Sequence, residues 1–166
     1  MAKDSSFDIV SQVDMQEVDN AVQQASKELT QRYDLKDTKS SVTLDKHGAA
    51  IAVASPDDFV MRQVVDVLNT KLVRRGIDLK AVGWGKAESA AGGTLRMVGK
   101  VVNGIEADLA RRINKDIRDQ KLKVKVQIEG DQLRVFSPSR DELQKVIAFV
   151  KQQDYGIPLQ FVNYRS

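Results

Sequence analysis

One pattern is written twice in this chain, in residues 41–69 and again in residues 124–151. In the first copy Val42 and Leu44 alternate with polar residues, a turn runs from Asp45 to Gly48, and Ile51 and Val53 alternate again. Ser55, Pro56 and Asp57 then lead into an amphipathic stretch from Phe59. In the second copy Val124, Val126 and Ile128 precede a turn at Glu129, Gly130 and Asp131. Leu133 and Val135 follow, then Ser137, Pro138, Ser139 and an amphipathic stretch from Leu143. A period of two marks a strand and a period of 3.6 a helix, so each copy predicts hairpin, cap and helix. A strand and a longer helix precede each copy and a further strand candidate follows it. The predicted unit is therefore βαββαβ, used twice, which is the split βαβ or ferredoxin-like order of an α+β protein. Such an order favours a binding scaffold over an enzyme, although a fold never fixes a function.

Composition narrows what such a pair of units can do. The chain has 166 residues, enough for two compact cores. No run approaches the roughly 20 apolar residues that span a bilayer, and the opening MAKDSSFD is too polar for a secretory signal. The expectation is a cytoplasmic protein with no membrane partner. Cysteine is absent, which removes disulfides, thiol nucleophiles and thiolate metal sites. His47 is the only histidine and lies in a DKHG turn, so a site built on two imidazoles is excluded and no cofactor or metal is expected. Charge is uneven along the chain. Residues 1–90 carry 12 Lys and Arg against 14 Asp and Glu, and residues 91–166 carry 14 against 9. A basic second half points to an anionic partner such as a nucleotide or nucleic acid.

The remaining elements follow from caps and breakers. Phe7 to Val13 reads as a strand, and Asp14 caps a helix running to about Tyr33, with Glu17 completing a capping box. Val18, Ala21, Val22, Ala25 and Leu29 form its apolar stripe. The next helix is expected to carry Pro56 in its first turn after Ser55 and to end at Gly76. Residues 85–94, GKAESAAGGT, read as a flexible loop between the halves. Leu95 to Val102 reads as a strand and Gly104 to Gln120 as a helix.

Three groups of residues carry candidate chemistry. On the helix after Gly104, Ile105, Leu109, Ile113 and Ile117 define the buried stripe, so Arg111, Lys115 and Arg118 project outward. A phosphate backbone needs such a row, and ordinary soluble helices also display one. In the second hairpin, if Val124, Val126, Ile128, Leu133 and Val135 face the helices, then Lys123, Lys125, Gln127, Arg134 and Phe136 share the other face. That face is basic with one aromatic, whereas its counterpart presents Ser41, Thr43, Ala50, Ala52 and Ala54. RNA recognition modules stack bases on two or three aromatics of an open sheet; only Phe136 is in place here. Packing against another surface is the competing role for Phe136. Trp84, flanked by glycines and near Arg74, Arg75 and Lys86 in sequence, either stacks on a base or closes a core. A phosphate loop fails because Gly99 and Lys100 lead into Val101, and a dinucleotide fingerprint fails because no helix starts after Gly83, Trp84 and Gly85. No carboxylate pair is set up for acid and base work.

The segments FDIVSQVDMQEVDNAV (7–22), VRRGID (73–78), NGIEADLARRI (103–113), KLKVKVQIEGDQLRV (121–135) and PLQFVNYR (158–165) closely resemble the YajQ family. The resemblance covers nearly the whole chain in order. It implies a small bacterial cytoplasmic protein that binds nucleotides, some relatives being receptors for cyclic di-GMP and nucleic-acid binding having also been proposed. For the fold it implies tandem ferredoxin-like domains that exchange their first strands. The expected domains are 14–102, including strand 95–102, and 1–13 with 103–166. The expected function is non-enzymatic nucleotide binding through Arg111, Lys115, Lys123, Lys125, Arg134, Phe136 and Trp84. RNA binding through the basic sheet face and docking of a regulatory protein are the alternatives. The AVGWGKAESAAGGT segment departs from the family pattern.

Overall fold

The computed structural model describes residues 3–166. The architecture is mixed α and β, with two sheets and four α-helices among the described residues. In chain order the elements are β1 (Ser5–Val10), α1 (Met15–Gln31), β2 (Ser41–Asp45), β3 (Ala50–Ser55), α2 (Asp58–Arg74), β4 (Val82–Trp84), β5 (Glu88–Ala90), β6 (Thr94–Val101), α3 (Ala107–Asp119), β7 (Lys125–Glu129), β8 (Gln132–Ser137), α4 (Arg140–Gln152) and β9 (Gln160–Arg165). They fall into two compact units. A continuous unit spans Val13–Val102, and a discontinuous unit joins the chain up to Gln12 with Asn103–Ser166.

In the continuous unit α1 and α2 pack on a sheet of order β2-β3-β6-β4, with β5 paired to β6. Asp14 caps α1 by accepting from the N–H groups of Gln16 and Glu17 at 3.0 and 3.3 Å. The reciprocal half of the capping box is missing, because the Glu17 carboxylate is taken by Asn20 at 3.0 Å and Arg75 at 3.5 Å. The expected stripe of Val18, Ala21, Val22, Ala25 and Leu29 is buried throughout. The start of α2 differs from the sequence expectation. Asp57, not Ser55, is the cap, accepting from Val60 N–H at 2.8 Å, and Pro56 precedes the helix. Ser55 is buried and its hydroxyl donates to the Asp57 carbonyl, which leaves the exposed Asp57 side chain to meet the helix N–H groups. Ser139 does the same in α4, accepting from Glu142 N–H.

The segment 85–94 also departs from its expectation. Rather than a loop between halves, it lies inside the continuous unit, and Glu88–Ala90 pair antiparallel with Thr94–Arg96 of β6. Small residues suit a narrow edge strand as well as a loop, and only the partner decides between them. Gly99 on β6 shows why a side chain is absent there. A Cβ would stand 2.6 Å from Val82 Cγ1 and 2.7 Å from Trp84 Cε3.

In the discontinuous unit α3 and α4 pack on a sheet of order β7-β8-β1-β9, antiparallel at every step. β1 is central and wholly buried. Its alternation splits the strand. Phe7 and Ile9 join Ile113, Ile117, Leu133 and Val135 in the core, while Ser6, Asp8 and Val10 point to the helix-free side. Complete burial of Phe7 and Ile9 contributes roughly 1.5–3 kcal/mol each. Ile128, expected in this core, is 39% exposed, because it lies at the turn end of β7 beyond the packed residues Val124 and Val126. Gly104, at φ +89°, donates its N–H to the Ser11 carbonyl at 2.6 Å, and a Cβ there would collide with Asp131.

Grouped by folded unit, the charge asymmetry of the linear sequence disappears. The discontinuous unit carries 13 Lys and Arg against 11 Asp and Glu, and the continuous unit 13 against 12. The cause is that Arg96 and Lys100 of β6 belong to the continuous unit and Asp4 and Asp8 to the other. Local arrangement, not net charge, must therefore carry any preference for anions. Among the described residues no helix is long and apolar enough to cross a membrane.

Candidate functional site

The helix-free face of the discontinuous unit is built from cross-strand rungs. One rung runs Lys125, Phe136, Ser6, Arg165 across β7, β8, β1 and β9. The next runs Gln127, Arg134, Asp8, Val162. Directly opposed residues project to the same side, so each rung presents its side chains as a row. At about 4.8 Å between strands, the backbones of Lys125 and Arg165 are roughly 14 Å apart. The first row thus places a cation, an aromatic ring, a hydroxyl and a second cation in line.

The second rung holds the electrostatic centre. Asp8 is completely buried, and Arg134 Nε donates to its Oδ1 at 2.8 Å. Asn163 Nδ2 and Arg165 donate to Oδ2 at 2.9 and 3.2 Å. A bulge in β9 makes this convergence possible. The register shifts between Ser6 and Asp8, and Asn163 adopts φ +59°, which aims its amide and the following guanidinium at one carboxylate. Burial alone would raise the Asp8 pKa. Hydrogen bonds from Arg134, Arg165 and Asn163 outweigh it and hold the carboxyl at about 2. Arg134 also meets Glu129 at 3.3 Å, and its own pKa is raised, chiefly by the bond to Asp8.

The sequence-derived site residues divide on this geometry. Lys125 and Phe136 are opposed partners on the first rung, Lys125 exposed and Phe136 half-buried. Arg134 is one rung away and committed to Asp8. Lys123 is exposed and lies ahead of β7, which starts at Lys125. Lys121 in the left-handed region (φ +55°) and a Val124 N–H to Leu122 carbonyl bond turn the chain beforehand. The Lys123 backbone is anchored at both ends, donating to Glu142 Oε2 at 2.9 Å and accepting from the Ser137 hydroxyl at 2.8 Å. Arg111 and Lys115 are on the exposed side of α3, Arg111 paired with Asp108 and Lys115 with Asp119 at 3.9 Å. Trp84 belongs to the continuous unit, where it packs beside the core over Gly99.

Sequence reasoning missed Ser6, Asp8, Asn163 and Arg165, whose partners are remote in the chain. It also missed a pocket of about 260 Å³ at the end of this sheet, lined among others by Ser5, Ser6, Arg140, Gln144, Tyr164 and Arg165. Ser6 and Arg165 belong to both pocket and rung, so the two are continuous. Among the described residues no group of three or more His, Asp or Glu could hold a metal ion.

The chain is similar to known proteins along its length. The family model described as "Nucleotide-binding protein YajQ-like" matches residues 5–165. The chain belongs to the YajQ family. Among its relatives, a "Nucleotide-binding protein" of Desulfitobacterium hafniense (strain DSM 10664 / DCB-2) is 54% identical over 165 residues, covering 99% of this chain and 100% of the relative. A protein of the same description from Alkaliphilus oremlandii is 49% identical over 165 residues, with 99% and 100% covered. One from Heliobacterium modesticaldum is 50% identical over 166 residues, with 100% of both chains covered. The YajQ match takes in both units, and every residue of the rungs lies within it.

Proposed function

We propose that this protein is a non-enzymatic nucleotide-binding protein whose ligand lies along the rung Lys125, Phe136, Ser6, Arg165. The observation that carries the proposal is the alignment of an aromatic ring between two cations on one sheet face. Rings of this kind stack on bases, and flanking cations meet phosphates. The names of the YajQ relatives support the same class of ligand. Cyclic di-GMP is the nucleotide to test first. The state of the carboxylate at the site supports a reading of binding without catalysis. Asp8 is ionised, buried and occupied by three donors, which leaves it no part in proton transfer.

On this proposal the cations take different roles. Lys125 and Arg165 contact the ligand, Arg134 braces the face through Asp8, and the α3 pair Arg111 and Lys115, together with Lys123, draw anions toward the unit. Trp84 serves the packing of the continuous unit. We further propose that the two units are copies of one ferredoxin-like βαββαβ plan with first strands exchanged, acting in the cytoplasm. The parallel strand orders, β2-β3-β6-β4 and β7-β8-β1-β9, support that relation.

Calorimetric titration of the purified protein with cyclic di-GMP, GTP and a short single-stranded RNA, each at two salt concentrations, tests the proposal. It predicts saturable nucleotide binding with weak salt dependence. Steeply salt-dependent binding of RNA alone would replace it with nucleic-acid binding. Silence from all three would replace it with docking of a protein.

A further inference from the structure

The pocket at the end of the discontinuous sheet offers chemistry that the rung alone does not. Arg140 opens α4 and is exposed, and among the described residues no carboxylate lies within ion-pair distance of it. Arg165 lines the same pocket, with its charge shared with Asp8. Ser5 is 8% exposed and lines the pocket as well. Two guanidinium groups with a serine hydroxyl in the same pocket are donors suited to an oxyanion.

The opposite sign of charge nearby is accounted for. Glu142, in the first turn of α4, is occupied by Lys123 N–H and by Lys145 at 3.0 Å, and those contacts hold its pKa down. Asp8 is occupied by Arg134, Asn163 and Arg165. Asp141 is exposed in the same helical turn and is the acid left to oppose an anion there.

Tyr164 completes the set. Its ring packs on Phe7 with centroids 6.0 Å apart and the planes tilted by 35°, yet the residue remains 61% exposed. Phe7 occupies one side and leaves ring surface open beside the two arginines. A volume of about 260 Å³ is close to the lower limit of roughly 300 Å³ for small-molecule clefts, which suits one nucleotide and not two.

We infer that this pocket is a mononucleotide subsite, in which Arg140, Arg165 and Ser5 hold the phosphate and the open side of Tyr164 stacks on the base. The inference rests on the nucleotide-binding proposal and extends it to residues outside the rung. Ser6 and Arg165 are shared by the pocket and the rung. The net positive charge left after Asp8 is satisfied is small, which favours one phosphate over a polyphosphate chain.

The test is calorimetric titration of the full chain with 5′-GMP, guanosine and cyclic di-GMP, using the wild type, Arg140→Gln and Tyr164→Ala, with thermal melts to confirm folding. GMP should bind at least tenfold more tightly than guanosine. Arg140→Gln should remove that tenfold advantage, and Tyr164→Ala should weaken both ligands. If GMP or cyclic di-GMP binds and both variants bind it as the wild type does, the pocket is not the subsite, although the nucleotide proposal stands. If GMP and guanosine bind equally in the wild type, the phosphate assignment is overturned. If no nucleotide binds at all, the underlying proposal fails and the subsite with it. Arg140 is exposed on the surface of α4, so its variant tests binding without burdening the core.

Discussion

Arg134 Nε donates to Asp8 Oδ1 at 2.8 Å, a bond between residues 126 positions apart that ties β8 to β1 in the middle of one sheet. Arg165 reaches the same carboxylate from β9, so one buried anion organises three of the four strands. Replacing Asp8 by Asn should destabilise the protein by about 2–3 kcal/mol. Fully buried pairs lose about 3–5 kcal/mol on breaking, and the arginine side chains here keep 27% and 45% of their surface exposed. Urea denaturation of wild type and variant measures the difference.

The same carboxylate makes stability depend on acid pH. Its folded pKa of about 2 lies below the ordinary 3.8, so the group binds protons less readily when folded. A depressed carboxyl pKa stabilises the folded state above the unfolded value, and that stabilisation is lost as pH falls through the folded value. Between about pH 4 and pH 2 the wild type should lose on the order of 1–2 kcal/mol that Asp8→Asn does not lose. Denaturation midpoints across that range check it; parallel curves would remove Asp8 from the acid response.

Because β1 lies between β8 and β9, a fragment containing only residues 103–166 lacks the centre of its sheet. It would expose unpaired ladder groups on both neighbours and lose Phe7 and Ile9 from its core. The fragment should show no cooperative thermal transition by circular dichroism, and adding back a peptide of residues 3–12 should restore one.

Gly99→Ala should cost about 1–3 kcal/mol, since the new methyl group meets Val82 and the Trp84 ring well inside contact distance. Trp84 is the only tryptophan, so a shift in fluorescence emission reports the displaced ring directly.

Much of the fold was legible because local periodicity is a local property. Alternation in residues 42–53 and 124–135, and the stripe of Val18 to Leu29, depend only on neighbours in sequence, and the corresponding strands and helix stand close to where those patterns put them. Caps were less legible. The Ser-Pro pair drew the helix start to Ser55, whereas burial of that serine moves the cap to Asp57. The edge strand Glu88–Ala90 was hidden because its small residues carry no period and its pairing partner supplies the order. At the candidate site Lys125 and Phe136 were found from alternation within one hairpin. Ser6, Asp8 and Arg165 share rungs with residues far away in the chain, and no local pattern links them. For the same reason the commitment of Arg134 to Asp8 could not be read from the hairpin alone.

The central claim is that a nucleotide lies along Lys125, Phe136, Ser6 and Arg165. The most direct measurement is the affinity of cyclic di-GMP for wild type, Phe136→Ala and Lys125→Glu by calorimetry at one fixed salt concentration. Loss of one stacked base, about 1–3 kcal/mol, predicts at least a fivefold weakening for Phe136→Ala, and charge reversal at Lys125 should weaken binding about tenfold or more. Wild-type affinity retained in both variants would contradict the account.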